Sequence, residues 1–173
     1  MMNSFNDIFK QKTSTFFTPK WLSRLTYIMP CTAMSAALEF HLNNIFKTQI
    51  TSGELSFLVD KCICIDVNNI SLSLFISLDN ETERLTILVI KSAFIAQKMT
   101  RFDGKLTGSS DALLQLLAGK RDPDTLFFRR ELAIEGDTEL CLEFKNWLDT
   151  QDPEGKLPSR LYADLQSYVE TLS

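Results

Sequence analysis

The sequence predicts an α+β fold, a largely antiparallel sheet of about five strands with one face covered by helices. Three patterns carry this expectation. Residues 62–76 alternate apolar and polar side chains at the two-residue period of strands, and residues 85–90 form a strand-sized apolar run. Around them, large apolar residues recur every three or four positions in 34–45, 113–117, 140–148 and 161–172, the period of helices that bury one stripe.

The first thirty residues read as a separate unit. Phe5, Ile8, Phe9, Phe16, Phe17, Trp21, Leu22, Leu25, Tyr27 and Ile28 interleave with Lys10, Lys12, Lys20 and Arg24, and Pro19 and Pro30 punctuate the stretch. Such an amphipathic segment suits a lipid headgroup layer, with Lys20, Trp21 and Arg24 as contact candidates; it equally suits folding back to supply core aromatics. The sequence leaves both destinations open.

Thr32 is expected to cap a helix running to about Ile50, with Met34, Leu38, Leu42 and Ile45 as its stripe and Gly53 soon after its end. His41 lies beside that stripe and has no visible partner for acid–base work, so it reads as a boundary residue. Ile63, Ile65 and Val67 then oppose Cys62, Cys64 and Asp66, and after Asn68-Asn69 the set Ile70, Leu72, Leu74 and Ile76 alternates with serines. This is a hairpin with one buried face. The run from Leu85 to Ile90 is apolar on both faces, as expected of a strand covered on both sides or lining a cavity. One or two weaker strands are expected between Ala96 and Thr107, around Asp103-Gly104, followed by a short helix capped by Ser109 or Ser110 and ended by Gly119.

The stretch from Arg121 to Asp149 has the densest turn-and-cap grammar. Asp122-Pro123 predicts a turn, Leu132 and Ile134 predict a short strand, Gly136 breaks it, and Asp137 caps a helix striped by Leu140, Phe144, Trp147 and Leu148. Between turn and strand stand Phe127 and Phe128, which as neighbours cannot both enter one strand face. The segment TQDPEGKLP reads as a linker to a last helix striped by Leu161, Leu165, Tyr168 and Leu172. The chain therefore divides into residues 1–30, a domain at 31–150, and a linker with helix at 151–173.

Composition excludes several classes. With 45% hydrophobic and 23% charged residues among 173, one globular domain is expected. A net charge of −4 and a pI near 5.1 argue against a general nucleic-acid binder, although residues 1–30 carry four cations against Asp7 alone, +3, leaving −7 for the rest. No apolar run approaches bilayer-spanning length, and charged residues interrupt the start where a secretory signal would be apolar, so a cytoplasmic location is expected.

Cys62 and Cys64 share a strand face, while Cys31 and Cys141 stand alone; with His41 the single histidine, no four-ligand metal set is expected. Phosphate loops, nucleophile elbows and HExxH are all missing from the sequence, and Glu131, Glu135 and Asp137 are accounted for by strand alternation and capping. No enzyme activity and no cofactor are expected.

The wording goes beyond this grammar. DPDTLFF, followed by RRELAIEGDTEL and KNWLD, resembles the C-terminal half of the bacterial sterol-carrier-protein-type-two lipid-binding domain, in particular that of ubiquinone biosynthesis accessory factors. Upstream, Pro30, LNNIFKTQI and SGELSFLVDKCICIDVNNISLSL resemble the first half, so the resemblance covers residues 30–150. It implies an apolar lipid tunnel between sheet and helices, for which Leu113, Leu117, Leu126, Phe127, Phe128, Leu140 and Phe144 are the wall candidates. Arg129 and Arg130, with Arg121 and Lys120 nearby, are candidates for headgroup or membrane contact. The implied role is a non-catalytic accessory factor for oxygen-independent ubiquinone biosynthesis, binding an isoprenoid or phospholipid ligand, working with the biosynthetic enzymes and touching the inner membrane peripherally. A general phospholipid or fatty-acyl carrier, or a protein-interaction module, is the competing reading.

Overall fold

A computed structural model of the chain describes residues 28–91, 101–121, 123–157 and 159–172. Lys20, Trp21 and Arg24, the expected strand residues before Arg101, Asp122, Pro158 and the side chain of Leu161 lie outside that description.

Helix α1 spans Cys31–Ile45 and α2 spans Lys47–Thr51. The single helix expected from Thr32 to Ile50 is thus interrupted at Phe46, whose φ of −101° and ψ of 16° leave the helical region. Thr32 is not its cap. Pro30 occupies that position, with no side-chain cap bond, and its carbonyl accepts from Met34 N at 3.1 Å. Gly53 does take the left-handed conformation, φ 79°, just past α2.

Five strands follow: β1 (Cys62–Val67), β2 (Leu72–Asp79), β3 (Arg84–Ile90), β4 (Gly104–Gly108) and β5 (Leu132–Gly136). They form one sheet in the order β3-β2-β1-β4-β5. Three pairings are antiparallel as expected, but β1 and β4 run parallel. Ile70 is not a strand residue; it closes a 3-10 turn at Asn68–Ile70, and Ser71 at φ 52° swings the chain into β2. Asp79 closes the β2–β3 turn by accepting from Thr82 N, Thr82 Oγ1 and Glu81 N, and these bonds to its charged form lower its pKa.

Between β4 and β5 lie α3 (Ser110–Leu117) and α4 (Pro123–Phe128). Ser109 caps α3 through a 3.2 Å bond from Ala112 N. The turn expected at Asp122-Pro123 is instead a helix start, because proline's fixed φ and missing N–H suit the first helical position. After β5 come α5 (Thr138–Asp149), a short α6 (Pro153–Lys156) inside the expected linker, and α7 (Ser159–Glu170). Asp137 caps α5, accepting from Leu140 N at 3.0 Å.

The register places Ile63, Ile65 and Val67 beside Leu72, Leu74 and Ile76, and beside Leu85, Ile87 and Val89, on one sheet face. Leu106, Leu132 and Ile134 extend it across β4 and β5. Helix side chains cover this face in two clusters: Leu126, Leu140 and Phe144 belong to the larger, Met34 and Leu38 to the smaller, and Leu42 and Leu113 touch both. The hairpin was expected to bury one face only. On the other face Ser73, Cys64 and Phe75 are also buried, with Cys62, Ile90 and Phe102 packed around the latter two. Helix α7 packs on α3 through Leu165 and Val169 against Ala118 and Leu114, while Tyr168 Oη donates to Asp111 at 2.9 Å. Burial, then that bond, raise the Tyr168 pKa.

Candidate functional site

The apolar space between sheet and helices is organised around α4 and α5. Leu126 and Leu140 are wholly buried and Phe144 is 3% exposed, all in the cluster that holds Ile63, Leu106 and Leu132. Leu126 is carried inward by the short helix α4 that precedes β5. Leu140 and Phe144 project from one face of α5, four residues apart, as helical spacing requires. Leu113 is half-buried at the seam between the two clusters. These four candidates share one interior.

Phe127, Phe128 and Leu117 do not join them. They are 47%, 83% and 51% exposed, so the seven tunnel candidates do not form one wall. The cause is the helix at α4: successive residues turn through about 100°, and with Leu126 aimed inward its two neighbours point away. Their rings meet edge to face at 6.2 Å.

An aromatic border closes the interior near the helix ends. Trp147 packs on Phe46 at 4.8 Å and on Phe144 at 5.9 Å, and the Lys156 ammonium lies 4.8 Å from the Phe46 ring. The indole Nε1 is buried without a hydrogen-bond partner, a donor that a ligand oxygen reaching this border would find unspent.

A second feature was not foreseen from sequence. An open groove of about 440 Å³ runs between α1 and the edge strand β3, lined by Ala36, Phe40, Leu88 and Val89 with Glu39 and Arg84. Its signal was the two-faced apolar run at residues 85–90: Leu85, Ile87 and Val89 face the core, whereas Leu88 is 45% exposed at the groove. Phe40, off the α1 stripe and 64% exposed, lies on its wall and stacks edge-on with exposed His41.

Charge is concentrated away from the apolar interior. Lys105 lies 3.5 Å from Asp66 and 3.6 Å from Glu135, on the sheet face opposite the helices, where Ser73 Oγ donates to Asp66 at 2.8 Å. Burial, with the Asp66 charge, pushes the neighbouring Cys64 thiol up to about 12, and burial also raises Cys62 and Cys141. These thiols are held neutral, the unreactive form. Among the described residues no three histidine, cysteine or acidic side chains gather as a metal site, and no helix is long and apolar enough to cross a membrane. The arrangement's chief physical resource is buried apolar area.

A mixed five-stranded sheet with helices on one face and an apolar interior between them defines a sterol-carrier-type domain. The chain belongs to the SCP-2 sterol transfer family, whose sequence model matches residues 42–149. It is 34% identical over 143 residues to the ubiquinone biosynthesis accessory factor UbiT of Escherichia coli K12, covering 83% of this chain and 75% of that protein. The same figures hold for UbiT of E. coli O157:H7. Among solved structures, the ubiquinone synthesis protein UbiJ-SCP2 aligns with a TM-score of 0.52 at 22% identity, over 70% of this chain and 93% of that one, a likeness of fold.

Proposed function

We propose that the chain is a non-catalytic, lipid-binding accessory factor of ubiquinone biosynthesis. It holds prenylated intermediates or membrane lipid and presents them to the biosynthetic enzymes of the oxygen-independent branch, working in the cytoplasm and at the inner membrane surface. The observation that carries this reading is the 34% identity to UbiT across 83% of the chain. The apolar interior around Leu113, Leu126, Leu140 and Phe144 supports it, as the space where a tail would displace side-chain contacts.

Carriage requires affinity without chemistry. Burying about ten methylenes at ~0.8 kcal/mol each contributes roughly 8 kcal/mol before association costs, which corresponds to about micromolar binding at best. That strength suits holding a lipid and releasing it. Native mass spectrometry of the protein purified from cells tests the reading, with a co-purifying prenylated species or phospholipid expected. A persistently empty protein would favour an interaction module. Deleting the gene and measuring ubiquinone with and without oxygen tests the pathway, and unchanged anaerobic ubiquinone would overturn that part.

A further inference from the structure

We propose that the corner between α4 and β5 docks on the surface of an anionic bilayer, Phe127 and Phe128 entering the headgroup layer and Arg129 and Arg130 meeting lipid phosphates. The proposal rests on the lipid-binding reading and adds where the protein meets the membrane that supplies or receives its cargo.

The corner is rigidly presented. Leu126 is wholly buried, and beyond it Arg130 N donates to Phe127 O at 2.9 Å while Glu131 N donates to Leu126 O at 2.9 Å. This pair of bonds is a Schellman helix end, whose left-handed position normally takes glycine. Here Arg130 occupies it at φ 59°. An arginine in a strained backbone position, two residues after an aromatic 83% exposed, is a costly way merely to end a helix.

Charge at the corner favours an anionic surface. Asp124 is engaged by Lys145, and Glu131 lies 3.5 Å from Arg121 and 4.0 Å from Arg129. Among the described residues no acid is within ion-pair distance of Arg130, so positive charge remains in surplus beside the two rings on a chain of net charge −4. Aromatic rings at the apolar boundary with arginines at phosphate level match the headgroup layer. The end of a six-residue helix offers little of the roughly 1,000 Å² that a stable protein interface needs, whereas shallow insertion uses only its side chains.

Cosedimentation of the full chain with phosphatidylcholine vesicles, with and without phosphatidylglycerol, is the test. Phe127→Ser with Phe128→Ser should lower binding about tenfold or more, and Phe128→Trp should retain it. Arg129→Gln with Arg130→Gln should lower binding to phosphatidylglycerol-containing vesicles about fivefold per charge at low salt, with little effect at high salt. All four positions are exposed, so circular dichroism of each variant should match the parent. If the double serine variant loses its fold, Phe128→Trp and the glutamine pair decide. Binding indifferent to every variant overturns the proposal, and so does intact vesicle binding accompanied by loss of a protein partner. A parent chain that binds vesicles yet carries no lipid in native mass spectrometry counts instead against the carrier reading.

Discussion

Asn43 of α1 and Leu85 of β3 exchange two hydrogen bonds, Leu85 N donating to Asn43 Oδ1 and Asn43 Nδ2 donating to Leu85 O, both at 2.8 Å. The pair begins a ladder along the open edge of the sheet. Val89 N donates to Ser35 Oγ at 2.9 Å, and Ile87 N reaches Glu39 Oε2 at 3.5 Å. Four helical residues rise about 6 Å and two strand residues about 6.6 Å, so a polar stripe at every fourth position meets N–H groups at every second. Helix α1 thereby covers an edge that would otherwise offer itself to another chain. Asn43→Ala should cost about 2 kcal/mol, because both backbone groups of Leu85 lose their partner in a part-buried setting. Asn43→Asp, which still accepts but cannot donate, should cost less. Urea unfolding of the three proteins checks the order, and light scattering should show the alanine variant associating at lower concentration; equal stability of all three would refute the edge-cap account.

Gly104 and Gly136 face each other across β4 and β5; Gly104 makes room for the start of α5, and Gly136 for the backbone entering β4. A Cβ on Gly136 would lie 2.3 Å from Asp103 O, at a φ of 81° that side chains avoid; one on Gly104 would lie 2.6 Å from Cys141 Sγ and 3.2 Å from Asp137 O. Backbone cannot yield where a side chain can. Gly136→Ala should therefore cost at least about 3 kcal/mol and Gly104→Ala less, as the thiol shifts aside. Denaturant midpoints of the two variants test this, and a Gly136→Ala protein within about 1 kcal/mol of the parent would contradict it.

Local physics was readable where partner and signal lie close in sequence. Ser109 and Asp137 announce their helices because the N–H groups they accept are three residues away. Leu132 and Ile134 announce a strand by alternation alone. The parallel β1–β4 pairing and the β3 partners of the α1 polar stripe depend on contacts dozens of residues apart, which no local period encodes. At the site, Leu126, Leu140 and Phe144 were legible as apolar positions. The exposure of Phe127 and Phe128 was not, because reading Asp122-Pro123 as a turn rather than a helix start hid the direction that Leu126 imposes on its neighbours.

Cys64 sets an alkaline limit on the fold. Its folded pKa, about 12, lies above the ordinary thiol value of 9.0, so its contribution is complete below pH 9 and is lost as pH rises toward 12, where the unfolded chain ionises first. Burial raises Cys62, Cys141 and Tyr168 as well, giving the same sign. Stability should fall steeply above pH 9, with Cys64 contributing about 1 kcal/mol per pH unit. Cys64→Ala should flatten that slope without abolishing it, a constant packing loss aside. Unfolding free energies from pH 8 to 11 provide the check, and parallel curves for the two proteins would refute the assignment.

The two helix caps should part company in acid. Ser109 holds α3 with a hydroxyl that does not titrate, so Ser109→Ala should cost about 1 kcal/mol at every pH. Asp137 holds α5 with a carboxylate whose pKa is lowered by the bond from Leu140 N and then by Lys61 at 3.3 Å. A depressed folded pKa means that its contribution is present above the unfolded carboxyl value and disappears as pH falls through the folded one. Asp137→Ala should therefore lower the melting temperature near neutrality, and its deficit should shrink below the carboxylate range to what a neutral cap oxygen still supplies. Asp137→Asn should sit between them near neutrality, since a neutral amide oxygen still accepts from Leu140 N but lacks the attraction to Lys61 and to the helix dipole. Melting curves at neutral and acid pH for the three variants decide the matter: an Asp137→Ala deficit that persists undiminished in acid would show that the side chain acts through packing and not as a charged cap.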